Sequence, residues 1–159
     1  MRLADELESR LRGRVVVAGV GSTAHGDDGA GPLVARALRD AGVATALDCG
    51  PCPELETWRI RELAPTTVLF VDAVDFGGRP GDAVLLSKDD LRSEGWDTHK
   101  APLRLTMQYL EEELGVRCWV LAVQPKAAVM NTPMCPEVKE AVDILADILT
   151  SCLLGRVSV

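Results

Sequence analysis

Two continuous apolar runs constrain the fold of this chain more than any other feature. "RVVVAGV" spans residues 14–20 and "TTVLFVDAV" spans residues 66–74, and both are rich in β-branched residues. Strands of this kind are usually buried on both faces, as in parallel sheets that carry helices on each side. The chain is therefore expected to form an α/β domain.

Helix-like and strand-like segments alternate along the whole chain, as a layered α/β fold requires. Because the turn at residues 75–82 is too short for a crossover helix, the strand at 83–87 is predicted to run antiparallel. We expect one domain over residues 1–159, with a five-stranded, mostly parallel sheet in a three-layer α/β/α arrangement. Helices are predicted at 3–12, 30–41, 53–63, 102–114 and 136–152, and further strands at 43–48, 83–87 and 117–123. The apolar side of the helix at 53–63 is expected to carry Leu55, Trp58 and Leu63.

Charge and composition exclude several classes of function. The net charge of −7 disfavours binding to nucleic acid or to an anionic membrane. No apolar run is as long as a membrane span, and the first 14 residues are amphipathic rather than signal-like, so a cytosolic location is expected. The five cysteines are odd in number and irregularly spaced, which favours reduced thiols over a disulfide framework.

Acidic and imidazole side chains are predicted to meet at the carboxyl ends of the strands. Asp28 closes the loop after the first strand, Asp72 is near the end of the third, and His99 precedes the helix that begins at Pro102. The first and third strands are usually neighbours in a doubly wound sheet, which would bring Asp28 close to Asp72. Each residue alone has an ordinary structural explanation, but together they suit nickel, zinc or manganese.

A dinucleotide site is one alternative at the same edge. Residues 19–24 fit the pattern G-x-G-x-x-A after a strand, and Asp48 lies where a ribose-binding acid would be expected. However, Asp27 and Asp28 would place two carboxylates where a pyrophosphate has to bind, and this repulsion argues against the alternative. Asp27 is instead expected to shape the turn or to cap a helix.

A dithiol redox centre is the second alternative, because Cys49 and Cys52 form a C-G-P-C sequence. Asp48 precedes the first cysteine, and its negative charge would raise the thiol pKa rather than lower it. The motif also follows the second strand of a longer chain, and the proline loop at residues 131–134 precedes a helix rather than a strand. A glycine–proline bend is the preferred interpretation.

Four segments together resemble the [NiFe]-hydrogenase maturation endopeptidases. They are "GVGSTAHGDDGAGP" (19–32), "ELAPTTVLFVDAVDFGGRPG" (62–81), "DTHKAPL" (97–103) and "VLAVQP" (120–125). Their order and separation match along nearly the whole chain, most closely to the branch that processes the large subunit of hydrogenase-3, the formate-hydrogenlyase type. The resemblance implies a cytosolic endopeptidase that removes the C-terminal extension of the large-subunit precursor after nickel insertion.

The resemblance also implies a set of site residues. Asp28, Asp72 and His99 match the metal ligands of the family, and Asp48 matches a further acid as a secondary catalytic or substrate-facing candidate. The nickel is expected to be carried by the substrate, although another divalent metal could occupy the site in the isolated protein. Ser22 stands where the family usually has Asn, and His25 is also a departure, for which a surface hydrogen bond is the preferred role.

The chain lacks the motifs of common peptidase classes. It has neither a G-x-S-x-G elbow nor an H-E-x-x-H helix. Two mechanisms remain open: the metal polarises the scissile carbonyl or activates water while a carboxylate takes the proton, or the metal only positions the peptide. A nickel-binding chaperone without catalysis is an alternative function.

Overall fold

The computed structural model describes residues 1–92 and 100–155. Within these residues the chain forms five α-helices: α1 (Leu3–Arg10), α2 (Ala30–Asp40), α3 (Thr57–Glu62), α4 (Ala101–Leu114) and α5 (Pro136–Leu154). It also forms five strands: β1 (Val15–Val20), β2 (Ala46–Gly50), β3 (Thr67–Ala73), β4 (Ala83–Leu86) and β5 (Arg117–Val123). The described helices include none with the length and apolar character needed to span a bilayer.

The strands form one sheet in the order β2-β1-β3-β5-β4. β1 is parallel to β2 and β3, β3 is parallel to β5, and β4 is antiparallel to β5. The predicted fold class is confirmed, including the antiparallel strand and the pairing of the first strand with the third. The carboxyl ends of β1 and β3 therefore lie side by side.

Two apolar cores lie on opposite faces of the sheet. On one face α1, α2 and α5 pack against alternate side chains such as Val17 and Val71. On the other face α3 and α4 pack against the intervening positions, among them Val16 and Phe70. Strand side chains alternate between the two faces, so the face on which a strand-end residue lies determines its neighbours.

The approach of α2 to the sheet depends on glycines. A Cβ atom on Gly31, in the first turn of α2, would lie 2.1 Å from the Val71 carbonyl oxygen and 2.5 Å from that of Val20. A Cβ atom on Gly19 in β1 would lie 2.3 Å from the Gly31 carbonyl oxygen. Only hydrogen at both positions lets the start of α2 rest directly on β1 and β3.

Two predicted elements differ from the observed ones. β2 begins at Ala46 rather than at residue 43, because the Val43 N–H bonds back to the Leu38 carbonyl and ends α2 in a turn. The helix predicted over 53–63 is a short 3₁₀ turn, Pro53–Leu55, followed by α3.

The buried face of that helix was also predicted wrongly. Ile60 is its buried residue, whereas Leu55 and Trp58, expected on the apolar side, are 70% and 58% exposed. The break between the 3₁₀ turn and α3 changes the direction in which successive side chains point. The apolar face predicted for one continuous helix therefore does not match the buried face of either segment.

Replacing Gly31 with alanine tests the close approach of α2. Helix propensity alone predicts that Gly31→Ala stabilises the protein, by about 1 kcal/mol. The clash with two backbone carbonyls predicts the opposite, a loss of about 3 kcal/mol in the free energy of unfolding, measured by chemical denaturation.

The control is Gly77→Ala. Gly77 has a positive φ of 81° but open space around its Cβ position. The Gly77→Ala substitution should lower the free energy of unfolding only by the backbone strain, about 1 kcal/mol. Equal losses for the two variants would contradict the packing argument.

Candidate active site

Asp28 is presented by a loop that folds back over the end of β1. It lies in a 3₁₀ turn, Gly26–Gly29, and its Oδ2 accepts a hydrogen bond of 2.9 Å from the Ser22 N–H. At Gly21 φ is 134°, and a Cβ atom would be 1.9 Å from the Asp28 carbonyl oxygen. Glycine at this position allows the loop to close tightly and hold Asp28, half-buried, at the carboxyl edge of the sheet.

Asp72 lies next to the last residue of β3 and is completely buried. Because strand side chains alternate between the two faces of the sheet, Asp72 points toward the face covered by α4. Lys100 lies just before that helix, and its Nζ is 3.0 Å from Asp72 Oδ2. Among the described residues, neither carboxylate oxygen has a hydrogen bond with good geometry. Within the described chain, the one ion pair of this buried acid is with the Lys100 ammonium group.

The surroundings of Asp72 perturb its ionisation strongly. Burial raises the pKa of Asp72 to about 7, against the lowering effect of Lys100, and the negative charge of Asp28 raises it further. The 3₁₀ turn that carries Asp28 contacts β3, which pairs with β1, so the two carboxylates lie at one edge of the sheet and repel each other. Such a pair is unfavourable by itself and is stabilised by a cation between its members.

The donors present fit a divalent cation. Asp28 and Asp72 supply carboxylate oxygens at one edge, and the Asp72 oxygens are buried with no hydrogen bond of good geometry from the described residues. Residues 1–92 and 100–155 contain no group of three His, Cys, Asp or Glu side chains arranged to hold a metal. The third predicted ligand, His99, lies outside the described residues, so the three-ligand site stays a prediction.

Asp48 is separated from Asp72 by the sheet. Its Oδ2 accepts hydrogen bonds from Arg36 of α2, at 3.1 Å from Nε and 3.0 Å from Nη2, so it faces α2. Asp72 faces α4 on the opposite side. Asp48 lies inside β2 rather than at its end, next to a bulge in the pairing of β1 with β2. Its observed contacts are those of a structural ion pair.

Asp27 joins two loops that are distant in sequence. Its Oδ2 accepts hydrogen bonds from the Lys126 N–H (2.7 Å) and the Ala127 N–H (3.0 Å), and its Oδ1 accepts one from the Cys135 N–H (2.8 Å). Burial raises the pKa of Asp27, but these backbone hydrogen bonds outweigh burial and hold it below its ordinary value. Asp27 shapes the loop as predicted, although its partners are distant N–H groups rather than the start of its own helix.

The surface hydrogen bond expected for His25 does not involve its Nδ1. Its Nδ1 is buried and has no hydrogen-bond partner in the described part of the chain. The residue is half-exposed and directly precedes the 3₁₀ turn that carries Asp28. The contacts of Nδ1 therefore do not show what His25 contributes to the site.

The two cysteines of the C-G-P-C sequence are in different environments. Cys49 is buried within β2, and burial raises the pKa of its thiol to about 12. Cys52 is exposed, and both thiols are free. A buried, neutral thiol in a strand is the opposite of the activated thiolate at a helix N-terminus that dithiol oxidoreductases use.

An apolar groove, not predicted from the sequence, opens between the 3₁₀ turn Pro53–Leu55 and α4. It has a volume of about 380 Å³, and Glu54, Thr57, Pro102, Leu105, Thr106 and Tyr109 line it. Pro102 is only two residues beyond Lys100, so the groove reaches the same edge as Asp72. Leu105 and Tyr109, 56% and 44% exposed, lie off the buried stripe of α4. These apolar residues outside the buried face of α4 were the feature of the sequence from which the groove could have been predicted.

Gln124 was also missed, and it holds the loop that follows Asp72. It is buried immediately after β5, and its Oε1 accepts hydrogen bonds from the Phe76 N–H (2.9 Å) and the Gly78 N–H (3.0 Å). Its Nε2 donates to Asp75 Oδ1 at 3.0 Å. One amide side chain thus anchors residues 75–78 beside the candidate site.

The fold and these contacts define an α/β protein with a carboxylate site at the carboxyl edge of its sheet. A protein-family model described as Hydrogenase maturation protease (HycI) matches residues 33–152. The Hydrogenase 3 maturation protease of Escherichia coli K12 is 38% identical over 127 residues, which cover 78% of this chain and 81% of that protein. The chain belongs to the hydrogenase maturation protease family.

Solved structures agree with this assignment. The [NiFe] hydrogenase maturation protease HycI from Thermococcus kodakarensis KOD1 superposes with a TM-score of 0.85 at 31% identity, covering 94% of this chain and 99% of that one. The endopeptidase HycI from Escherichia coli superposes with a TM-score of 0.78 at 36% identity, covering 87% and 90%. The predicted family is confirmed.

Replacing Asp27 tests its role as the link between the two loops. Both of its oxygens accept N–H groups, so the amide nitrogen of Asp27→Asn must face a donor in either orientation. We expect a loss of about 2–3 kcal/mol in the free energy of unfolding at pH 7. Asp89→Asn, at an exposed position, should change it little.

The same variant has a defined pH dependence. Because the folded-state pKa of Asp27 is lowered, its stabilisation is present above the unfolded pKa and is lost as pH falls through the folded value. The stability difference between the wild type and Asp27→Asn should therefore shrink below about pH 4, measured by urea denaturation at several pH values. A constant difference down to pH 2 would contradict the assignment.

Proposed function

We propose that this protein is the cytosolic endopeptidase that removes the C-terminal extension of a [NiFe]-hydrogenase large-subunit precursor after nickel insertion. Membership of the hydrogenase maturation protease family supports the peptidase activity and the kind of substrate. The observation that carries the proposal further is the approach of Asp28 to a buried Asp72 carboxylate without well-formed hydrogen bonds from the described chain. Such a pair is suited to meeting a cation.

The nickel is best treated as part of the substrate. Asp28 and Asp72 would contact it through carboxylate oxygens, and His99 is the predicted third ligand. A divalent metal held in this way can polarise a carbonyl oxygen or lower the pKa of a water molecule. Asp28 is less buried than Asp72, which suits it to accept a proton from water on the substrate side of the pair.

The peptide chain of the precursor requires a surface beside the metal. The groove along α4 begins at Pro102, two residues beyond Lys100, and Leu105 and Tyr109 offer apolar contact area. Thr57 also lines the groove and can exchange hydrogen bonds with an extended backbone. We assign this groove to the polypeptide of the precursor close to its cleavage point.

The first test is cleavage of the purified precursor, with and without nickel, followed by the shift in length on a gel. Asp28→Asn, Asp72→Asn and His99→Ala should each slow processing by more than about 100-fold, because even residues that only orient metal ligands contribute about 10–100-fold. Asp89→Asn serves as the carboxylate control and should process normally.

Two outcomes would contradict the proposal in different ways. Undiminished cleavage by the three variants would remove the metal-site assignment. A wild-type protein that binds the nickel-loaded precursor tightly but never changes its length would instead be a nickel-binding chaperone.

The second test concerns the groove. Leu105→Ser and Tyr109→Ala should raise KM for the precursor by about tenfold each while kcat changes little, since each removes apolar contact area worth about 1–2 kcal/mol. Ile144→Ser is the matched control, because Ile144 is a similarly exposed residue (51%) on α5, across the sheet. Equal effects at Ile144 and Leu105, or unchanged KM at both groove positions, would place the precursor elsewhere.

A further inference from the structure

Lys100 occupies a position that the metal-dependent function does not explain. Its Nζ lies 3.0 Å from Asp72 Oδ2, and the two side chains are 15% and 1% exposed. A lysine ammonium is strongly hydrated and is rarely withdrawn from water unless it is paired. Here its single positive charge lies against the oxygens that a metal would have to contact.

We propose that Lys100 is a displaceable counter-ion that weakens the binding of free divalent cations at the Asp28–Asp72 site and yields more readily to a metal presented by a bound protein substrate. The inference rests on the proposed function, since it assumes that these carboxylates contact the substrate's metal. It adds a residue that determines which source of metal the site accepts.

Electrostatics gives Lys100 the required effect. When the Lys100 ammonium is in place, it neutralises one of the two carboxylate charges, so the site attracts an incoming cation less. The ammonium itself also repels that cation. Two like charges a few ångströms apart repel each other appreciably at the effective dielectric constant of a protein surface. A free aqueous ion must overcome this and also lose part of its own hydration shell.

A metal already held by the precursor is at an advantage. It arrives with donor atoms in place, and contacts of the polypeptide with the groove along α4 contribute binding free energy that a free ion does not have. The local concentration of such a metal at the carboxylates is therefore high. This difference allows one lysine to distinguish between the two sources.

The contacts of Lys100 are suited to release. Among the described residues Lys100 has one ion pair, with Asp72. It precedes α4 directly, and its side chain is 15% exposed, which gives the ammonium a path to solvent. Its four-carbon stem can rotate the ammonium into water without moving the helix. The pair of Arg36 with Asp48 is different, because both Nε and Nη2 contact the same carboxylate oxygen.

The test is calorimetric titration of the isolated protein with Mn²⁺, Zn²⁺ and Ni²⁺ at pH 7.5. Lys100→Met removes the charge and keeps the length of the side chain, and it should bind each ion at least about tenfold more tightly than the wild type. Lys100→Arg keeps the charge and should bind within about threefold of the wild type. Unchanged or weaker binding by Lys100→Met would overturn the proposal.

A second measurement covers the case in which Lys100→Met does not fold. In wild-type protein with ¹⁵N-labelled lysine, the buried ammonium should give a protected ¹H–¹⁵N signal that Lys100→Arg removes. Saturation with Zn²⁺ should abolish this signal as the ammonium moves into water. A signal that persists at saturating Zn²⁺, or that is absent from the metal-free protein, would also overturn the proposal.

The failure of this inference can be distinguished from failure of the proposed function. If Asp28→Asn and Asp72→Asn leave both metal binding and precursor cleavage intact, the site itself is wrongly assigned. If those variants lose both properties while Lys100→Met binds metal no better than the wild type, only the role of Lys100 is wrong.

Discussion

The contact between the start of α2 and the two central strands is the constraint on which the rest of the site depends. Gly19 and Gly31 allow backbone to meet backbone, with no side chain between helix and sheet. The loop between β1 and α2 is therefore tightly folded, and it directs Asp28 toward the end of β3. A single methyl group at Gly31 would push α2 outward and carry the acidic loop away from Asp72.

The electrostatic character of the edge follows from this packing. Asp72 is buried by the helices on its face, and Asp28 is brought near it by the glycine contacts, so two negative charges share a region with little water. Under the proposed function, a cation on the bound substrate would relieve a repulsion that is already present in the free protein. In its absence Lys100 provides partial relief.

The general architecture and the position of the acidic pair could be predicted from the sequence, because both follow from local patterns. Continuous β-branched runs indicated parallel strands, and parallel strands bring their carboxyl ends to one edge, which placed Asp28 near Asp72. The side of the sheet on which Asp48 lies could not be predicted, since it depends on where β2 starts and on a bulge. Nor could the hydrogen bonds of Asp27, whose partners are backbone N–H groups that carry no residue-specific signature.

The link made by Asp27 also bears on how the protein reaches its folded state. Asp27 bonds to residues 99, 100 and 108 positions further along the chain. Contacts of such high sequence separation require closure of a long loop and tend to form late. The loop that carries Asp28 thus gains its final support only after β5 and the segment before α5 have been synthesised and docked. A newly made chain is in this way kept from completing its acidic site until nearly all of the domain is in place.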